Sequence, residues 1–564
     1  MPSSLRTPGW WRNAVVYQVY PRSFQDSDGD GVGDIPGITS RLDHLAALGV
    51  DVLWLSPVYR SPMDDNGYDI SDYDDVDPLF GSLTDLDALI TGCHDRGIRV
   101  VMDLVVNHTS DEHPWFQESR DPSSPKRDWY WWRPPRDDGS PPTNWESWFG
   151  GPAWEYDEQS GAYYLHIFSP KQPDLNWETP AVRQEIYAMM RRWVDRGVDG
   201  FRMDVIELIA KDTVLRDGVP AEGRDLAYPV GVAFGPRLDE YLNEMNREVG
   251  IADKHLLTVG EMGLSTIEQA RRVTDPSRHE LDMLFSFEHV WLDQVAGLTK
   301  FDLKPLHLPD LKSVLARWQT GLADVGWNSL YWDNHDQPRV VSRFGDDSDE
   351  HRVVSAKTLA TVLHLHRGTP YVYQGEELGM TNAGFTAIDQ YVDLESLNWA
   401  REAMAGGAPE EEVLHSLAVK SRDNARTPMH WDATEHAGFT SGTPWLPANA
   451  NRDVVNAEAE IADPDSVLHH YRQLIALRHT DDVVVDGRFA LLLPDDPALW
   501  VFTRTLGHRM LLVLANCSSS PVAVPLDAVP DLSGSDVLLP THAPPYGLDL
   551  RPWESRIHRM RTRP

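Results

Sequence analysis

Residues 200–206 read GFRMDVI: a short run of large apolar side chains that carries Arg202 near its centre and stops on an acid, Asp204. A run this apolar predicts a strand covered on both faces, and an acid at its end predicts that the strand's C-terminal edge opens onto a polar site. Runs of the same character recur at residues 15–20, 52–55, 100–106, 256–259, 283–287, 329–332 and 371–373. Helical patterns such as 83–96 and 180–196 separate them. Eight strands alternating with helices predict an α/β protein whose parallel sheet closes into a (β/α)8 TIM barrel. A doubly wound open sheet is the alternative. It is weakened because no G-x-G-x-x-G follows the first run and acids follow the runs directly.

Between the third and fourth runs, residues 107–178 are dense in Trp, Tyr, Pro and Gly and read as an insertion domain, with PPRDDGSPP (134–142) as an exposed loop within it. From residue 480 the pattern becomes β-rich alternation, as at 490–493, 499–505 and 509–515, which predicts a C-terminal antiparallel β-sandwich over 480–564. The catalytic barrel then takes residues 1–106 and 179–479.

A formal charge of −36 sets the chain against nucleic acid and anionic membranes, and a neutral substrate fits it better. The 21 tryptophans offer flat apolar faces that suit sugar rings as well as core packing. Cys93 and Cys517 are too few and too far apart for a disulfide framework or a zinc site, and read as buried free thiols. Residues 1–21 lack a charged n-region followed by an unbroken apolar stretch, and no segment reaches the roughly 20 apolar residues that span a bilayer, so the expectation is a soluble cytoplasmic protein. With no coiled coil in view, a monomer is expected. Arg556, Arg559, Arg561 and Arg563 read as a solvated tail without function.

Three acids stand at strand ends: Asp204, Glu261 closing LLTVGE (256–261), and Asp336 in LYWDNHDQPR (330–339). One such acid would serve equally well as a helix cap. Three of them, on strands four, five and seven, fit glycoside hydrolysis, which needs a pair of carboxyl groups around the anomeric carbon, one ionised and one protonated. Arg202 shares a strand face with Asp204 and is expected to keep that carboxylate ionised. His108 in VVNHTS and His335 beside Asp336 are suited, as neutral donors, to sugar hydroxyls. Asp69 in NGYDISDY, opposite Arg422 or Arg426 in SRDNARTPM, gives an Asp–Arg pair that fixes vicinal hydroxyls and blocks longer chains. The DSDGDGVGD loop offers oxygens from Asp26, Asp28, Asp30, Asp34 and the Val32 carbonyl at calcium-loop spacing. It is not an EF-hand, since Gly37 stands where the bidentate Glu belongs; a solvated acidic turn is the blander reading.

Together these motifs resemble glycoside hydrolase family 13, the α-amylase superfamily, in its oligo-1,6-glucosidase/α-glucosidase branch. The resemblance runs from WWRNAVVYQVYPRSFQDSDGDGVGDIPGI through GYDISDY, DLVVNHTS, QPDLNW, GFRMDV, VGEM and NHDQPR to QGEELGM and RDNARTPMHW. It implies Asp204 as nucleophile, Glu261 as acid/base and Asp336 as transition-state stabiliser. Asp69, His108, Arg202, His335 and one or both of Arg422 and Arg426 would bind the terminal glucose. The retaining mechanism implies catalytic carboxyls about 5–5.5 Å apart. QPDLN and Val205 are the forms that accompany α-1,6 acceptance in this branch, and His430 departs from a usual Gln. The acidic loop would hold a structural Ca²⁺ or Mg²⁺, with no organic cofactor. The activity implied is removal of terminal glucose from short α-glucosides such as maltose, isomaltose or sucrose-like sugars. The alternative on the same glucosyl-enzyme is a transglucosylase or a sucrose/trehalose-type isomerase, decided at an acceptor region expected around Arg339 and Arg343. A non-catalytic partner protein would lack the acids and carry a membrane helix.

Overall fold

The computed structural model describes residues 9–221 and 223–561. Its central sheet has eight parallel strands: β1 Val16–Val19, β2 Val52–Leu55, β3 Arg99–Val105, β4 Gly200–Asp204, β5 Leu257–Glu261, β6 Met283–Phe285, β7 Ser329–Leu330 and β8 Thr369–Tyr373. They pair in the order β6-β5-β4-β3-β2-β1-β8-β7. A parallel bridge from Leu284 to Asn328, with the Ser329 hydroxyl donating to the Leu284 carbonyl, joins β6 to β7 and closes the barrel.

The two-faced burial follows from the period of two along a strand. Val16, Val52, Trp54, Val101, Leu257 and Val259 point inward and fill the barrel. Tyr17, Leu53, Val100 and Phe201 point outward under the helices. The helix Leu83–Asp95 begins with a Ser82/Asp85 capping box and buries Leu86, Leu89, Ile90 and Cys93, the i, i+3, i+4, i+7 stripe of a helix with one face on the sheet. The helix Pro180–Arg196 starts with Pro at its first position, where a missing N–H costs nothing, and stops at Gly197 with φ 120°.

Within residues 107–178 lies a three-stranded antiparallel sheet of Trp132–Arg133, Trp154–Asp157 and Ala162–Leu165, with the last strand in the middle. Bridges from His108 to Asp174 and from Tyr130 to Leu175 fold the end of this segment back onto its earlier part, which begins just past β3. Residues 136–139 of the Pro-rich loop are exposed.

At the C-terminal end, Arg488–Leu492, Leu499–Leu506, Arg509–Asn516, Ser555–Arg561 and Asp536–Leu538 form a five-stranded antiparallel sheet, and Val522–Ala523 pairs with Asp549–Leu550. The arginines read as a tail belong to this sheet. Arg556, Arg559 and Arg561 lie on a strand paired with Arg509–Asn516; Arg556 is buried, and Arg559 reaches Asp481 at 3.1 Å. Alternating with Ile557, His558 and Met560, they have the pattern of a strand with charged ends, which a count of charges cannot reveal. Arg563 lies outside the described residues, as do the first eight residues of the N-terminal stretch considered above. Cys93 is buried and Cys517 half-buried, both free. Among the described residues no helix is long and apolar enough to cross a membrane.

Candidate active site

The C-terminal ends of the barrel strands surround a cavity of about 330 Å³, which Asp204, Glu261, Asp336, His108, Val205 and Arg422 help to line. Strand geometry builds its floor. Arg202 and Asp204 lie two apart on β4 and share a face, and the flanking strands β3 and β5 bring Asp103 and Glu261 alongside. Arg202 Nη1 sits 2.7 Å from Asp103 Oδ1 and 2.5 Å from Asp204 Oδ1, while its Nη2 is 2.7 Å from Glu261 Oε2. One guanidinium thus spans the carboxyl pair. Sharing one guanidinium keeps the two carboxyls close neighbours, as the retaining mechanism requires.

The expectation that Arg202 simply holds Asp204 ionised needs correction. Burial dominates and pushes Asp204 up to about 6; Arg202 works against the rise, but its charge is divided with Asp103 and Glu261. Burial also lifts Glu261 to about 7, opposed by Arg202 and reinforced by the charges of Asp204 and Asp336. Between these values Asp204 is the ionised member and Glu261 the protonated one, which is the division of labour that glycoside cleavage requires.

The opposite wall has the reverse electrostatics. Asp336 Oδ1 accepts from Arg426 Nη2 at 2.7 Å and lies 3.4 Å from Arg422 Nη1, and His335 Nε2 is 3.1 Å from Asp336 Oδ2. Burial alone would raise Asp336, yet His335 and the two arginines hold it well below the usual carboxylate range. It stays a fixed negative charge. His335 itself is locked from behind by Gln18, whose amide lies 2.8 Å from Nδ1, and by the Tyr68 ring stacked at 5.1 Å. Arg426 is fully buried behind Asp336 and its Nε donates to the His335 carbonyl, so of the two arginines Arg422 is the one that faces the cavity.

Asp69 does not take the place expected of it. It is fully buried off the cavity, where it accepts from the Ser61 hydroxyl and from the N–H groups of Asp64 and Asp65, holding the loop together. Asp65 is the acid that lines the cavity, 3.1 Å from Arg422 Nη2. Positive φ at Asn66 and Gly67 turns the loop so that Asp65 and Tyr68 face inward and Asp69 is carried away. The missed residue sits immediately before the motif singled out in the sequence, NGYDISDY.

His108 is placed as expected. Its Nε2 donates to the Tyr68 carbonyl at 3.0 Å, and burial lowers it to about 4, so it is a neutral ring. Asp103 went unread because its run, VVMDLVV, looks like pure core. Val205 lines the cavity in a left-handed conformation, φ 35° and ψ 40°, rare for a β-branched residue, and its N–H donates to Glu261 Oε2 at 3.1 Å. The two arginines expected near the acceptor turn away: Arg339 is buried and donates to the carbonyls of Gln374 and Ala425, and Arg343 pairs with Asp293. Arg343 does hold Gln337, which lines the cavity, at 2.6 Å. His430 accepts the Asn449 N–H at Nε2 and donates to the Val455 carbonyl, binding two loops together.

Of the five residues expected at the acidic loop, the structure brings three together: carboxylate oxygens of Asp26, Asp28 and Asp34 lie within 4.8 Å of one another. Asp30 is exposed and outside this group, its Oδ1 accepting from the Val32 N–H.

A barrel whose floor carries three acids around one buried arginine is a glycosidase architecture, and residues 18–487 match the model of the alpha amylase catalytic domain. The chain belongs to this family. It is 52% identical to an oligo-1,6-glucosidase of Parageobacillus thermoglucosidasius, across 98% of this chain and 99% of that protein. Among solved structures, the trehalose-6-phosphate hydrolase of Bacillus licheniformis is 46% identical, with a TM-score of 0.92 over 99% of this chain and 100% of that one. The isomaltulose synthase of Klebsiella sp. LX3 is 40% identical, with a TM-score of 0.92 over 98% and 99% of the two chains.

Proposed function

We propose that the protein is a retaining exo-acting α-glucosidase that releases terminal glucose from short α-glucosides through a covalent glucosyl-enzyme. The observation that carries this reading is the single guanidinium of Arg202 bridging Asp204 and Glu261, with a permanently charged Asp336 across the cavity. Glucose enters against the Asp65–Arg422 pair, which stops a longer chain from passing. Glu261 donates its proton to the glycosidic oxygen as Asp204 attacks the anomeric carbon; the C–O bond to the leaving sugar breaks and an ester to Asp204 forms. The negative charge of Asp336 favours the oxocarbenium-like transition state. Glu261, now ionised, takes a proton from water, and the resulting attack restores Asp204 and frees glucose.

Val205 beside the nucleophile and the QPDLN segment support acceptance of α-1,6 links, in keeping with the oligo-1,6-glucosidase relative. The loop at Asp26, Asp28 and Asp34 is read as the seat of a structural Ca²⁺ or Mg²⁺, since the donors are all hard oxygens. It would pin this loop to the segment around Thr440, whose hydroxyl donates to Asp26. Two free thiols support a reducing, cytoplasmic setting, and we expect a monomer of 63.7 kDa by light scattering.

The deciding experiment is time-resolved product analysis with maltose, isomaltose and sucrose, each at low and high concentration. Glucose appearing as fast as substrate disappears establishes hydrolysis and ranks the linkages. New di- or trisaccharides appearing before free glucose would replace this reading with transglucosylation or isomerisation.

A further inference from the structure

One wall of the cavity is assembled from three separate segments, and a single carboxylate outside the cavity joins them. The segment after β6 brings Trp291, Gln294 and Lys300 to the cavity, the turn after β7 brings Gln337, and Arg422 follows the helix Glu410–Lys420 by two residues. Asp293 lies in the first segment and is 8% exposed. Its Oδ2 accepts from Arg343 Nε and its Oδ1 from Arg343 Nη2, both at 2.8 Å. The same Oδ1 accepts from Nζ of Lys420, the last residue of that helix. Arg343 passes the contact on, for its Nη1 donates to Gln337 Oε1 at 2.6 Å and its Nη2 to the Val290 carbonyl.

The charges in this joint do not balance. Two cations meet one acid, and both cationic side chains are buried. Burial alone would raise Asp293, yet Arg343 and then Lys420 hold it down to about 2, so it stays ionised. Without that charge, two buried cations would face each other uncompensated, which is far costlier than losing one contact. The catalytic acids are held by other groups: Arg202 holds Asp204 and Glu261, while His335 and Arg426 hold Asp336. Disturbing the joint therefore acts on the walls that grip the sugar more than on the acids that cleave it. We propose that Asp293 is a positioning residue, its carboxylate clamping Arg343 and Lys420 so that the loop after β6, the turn after β7 and the segment carrying Arg422 keep the spacing that grips the substrate.

This inference rests on the glucosidase reading for its turnover assay, and a binding assay separates the two. Asp293→Asn keeps the shape of the side chain and removes its charge. It should raise KM for isomaltose and Kd for glucose, the latter read by calorimetry, at least about tenfold, or about 1.4 kcal/mol, with kcat changing much less. Adding Lys420→Met to Asp293→Asn removes the opposing charge and should recover most of both losses, a coupling that simple loss of packing does not produce. KM and Kd equal to wild type in Asp293→Asn, a loss confined to kcat, or no recovery in the double variant overturns the assignment. If Asp293→Asn does not fold, Arg343→Lys carries the test: it keeps the charge beside Asp293 but lacks the fork that also reaches Gln337. KM and Kd should again rise, and unchanged values refute the role. A wild-type protein that binds glucose, loses it as described in Asp293→Asn, and yet cleaves no α-glucoside would keep the positioning role and remove the glucosidase reading.

Discussion

Asp26 and Asp204 each expose 6% of their surface and each sits among other acids, but Asp204 lies deep in the barrel and Asp26 in a shallow surface loop, and their carboxyls respond in opposite directions. At Asp26, burial is outweighed by the Thr440 hydroxyl and the N–H groups of Gly29, Gly31 and Asp28, and the group stays below its ordinary value. At Asp204 burial wins, because one guanidinium is divided among three acids, and the group rises to about 6. Local dipoles fix a charge where it is; a shared cation leaves it able to exchange a proton. A count of acids in either segment cannot distinguish the two, since what differs is the depth of the carboxyl and the number of N–H groups aimed at each oxygen.

If this contrast is right, the cavity acids carry turnover and the loop acids do not. Asp204→Asn should cut kcat on isomaltose by on the order of 10⁴-fold and prevent any covalent intermediate from being trapped. Glu261→Gln should cost about 10²–10⁴-fold on isomaltose and much less on α-glucosyl fluoride, which needs no proton to depart. Near-normal turnover in either variant would erase the distinction at its root.

The pH profile sharpens the same comparison. The rate should peak in a narrow window, with an acid limb near 6 where Asp204 is protonated and an alkaline limb near 7 where Glu261 loses its proton. Since the two groups share Arg202, the limbs belong to the pair, and replacing Arg202 should move both. A flat profile between pH 5 and 8 would show that neither proton is in play.

Stability should follow opposite pH trends at the two places. Glu261 has its value raised from 4.5 to about 7 on folding; its contribution is intact below 4.5 and is lost as pH rises through about 7. Glu261→Gln should therefore raise Tm by about 1–3 °C at pH 8 and have little effect at pH 4. Asp26 is lowered from 3.8, so its contribution is present above 3.8 and is lost as pH falls through its folded value. Asp26→Asn should thus lower Tm at pH 7, by a margin that shrinks on acidification. Chelation should lower Tm by about 2 °C and leave kcat in place, as expected for a cation that stabilises without touching sugar. A chelator that abolishes turnover in a fully folded enzyme would tie the loop to the chemistry.

Much of this was legible in the chain because strand ends are legible. The eight runs are apolar on both faces, so Asp204 and Glu261 stand out where apolarity stops, and Asp336 a few residues beyond it. What could not be read is which of several neighbouring acids a loop turns inward. DDNGYD offers Asp64, Asp65 and Asp69, and the choice of Asp65 depends on two left-handed residues, Asn66 and Gly67. Asp103 was hidden for the opposite reason: an inward-facing acid in mid-strand is stable only beside Arg202, a partner on another strand. Trp148 and Tyr228 reach the cavity from segments far apart in the sequence, and their meeting is a property of the closed barrel.

The smallest effect expected is also the most specific. Val205 lines the cavity directly after Asp204, and its left-handed backbone aims its N–H at Glu261. Thr has the same shape and the same β-branching, so Val205→Thr keeps the backbone cost and the hydrogen bond while exchanging one methyl for a hydroxyl. A change confined to that atom can act only through the sugar beside it. The isomaltose-to-maltose ratio of kcat/KM should fall by about threefold, with turnover of α-glucosyl fluoride moving far less. Val205→Gly is the contrasting variant: it releases the strain but also frees the turn that holds the N–H on Glu261, so it should lower kcat on every sugar substrate alike. If Thr and Gly behave the same way, Val205 acts through its backbone alone, and linkage preference must be set by the groups around the leaving sugar.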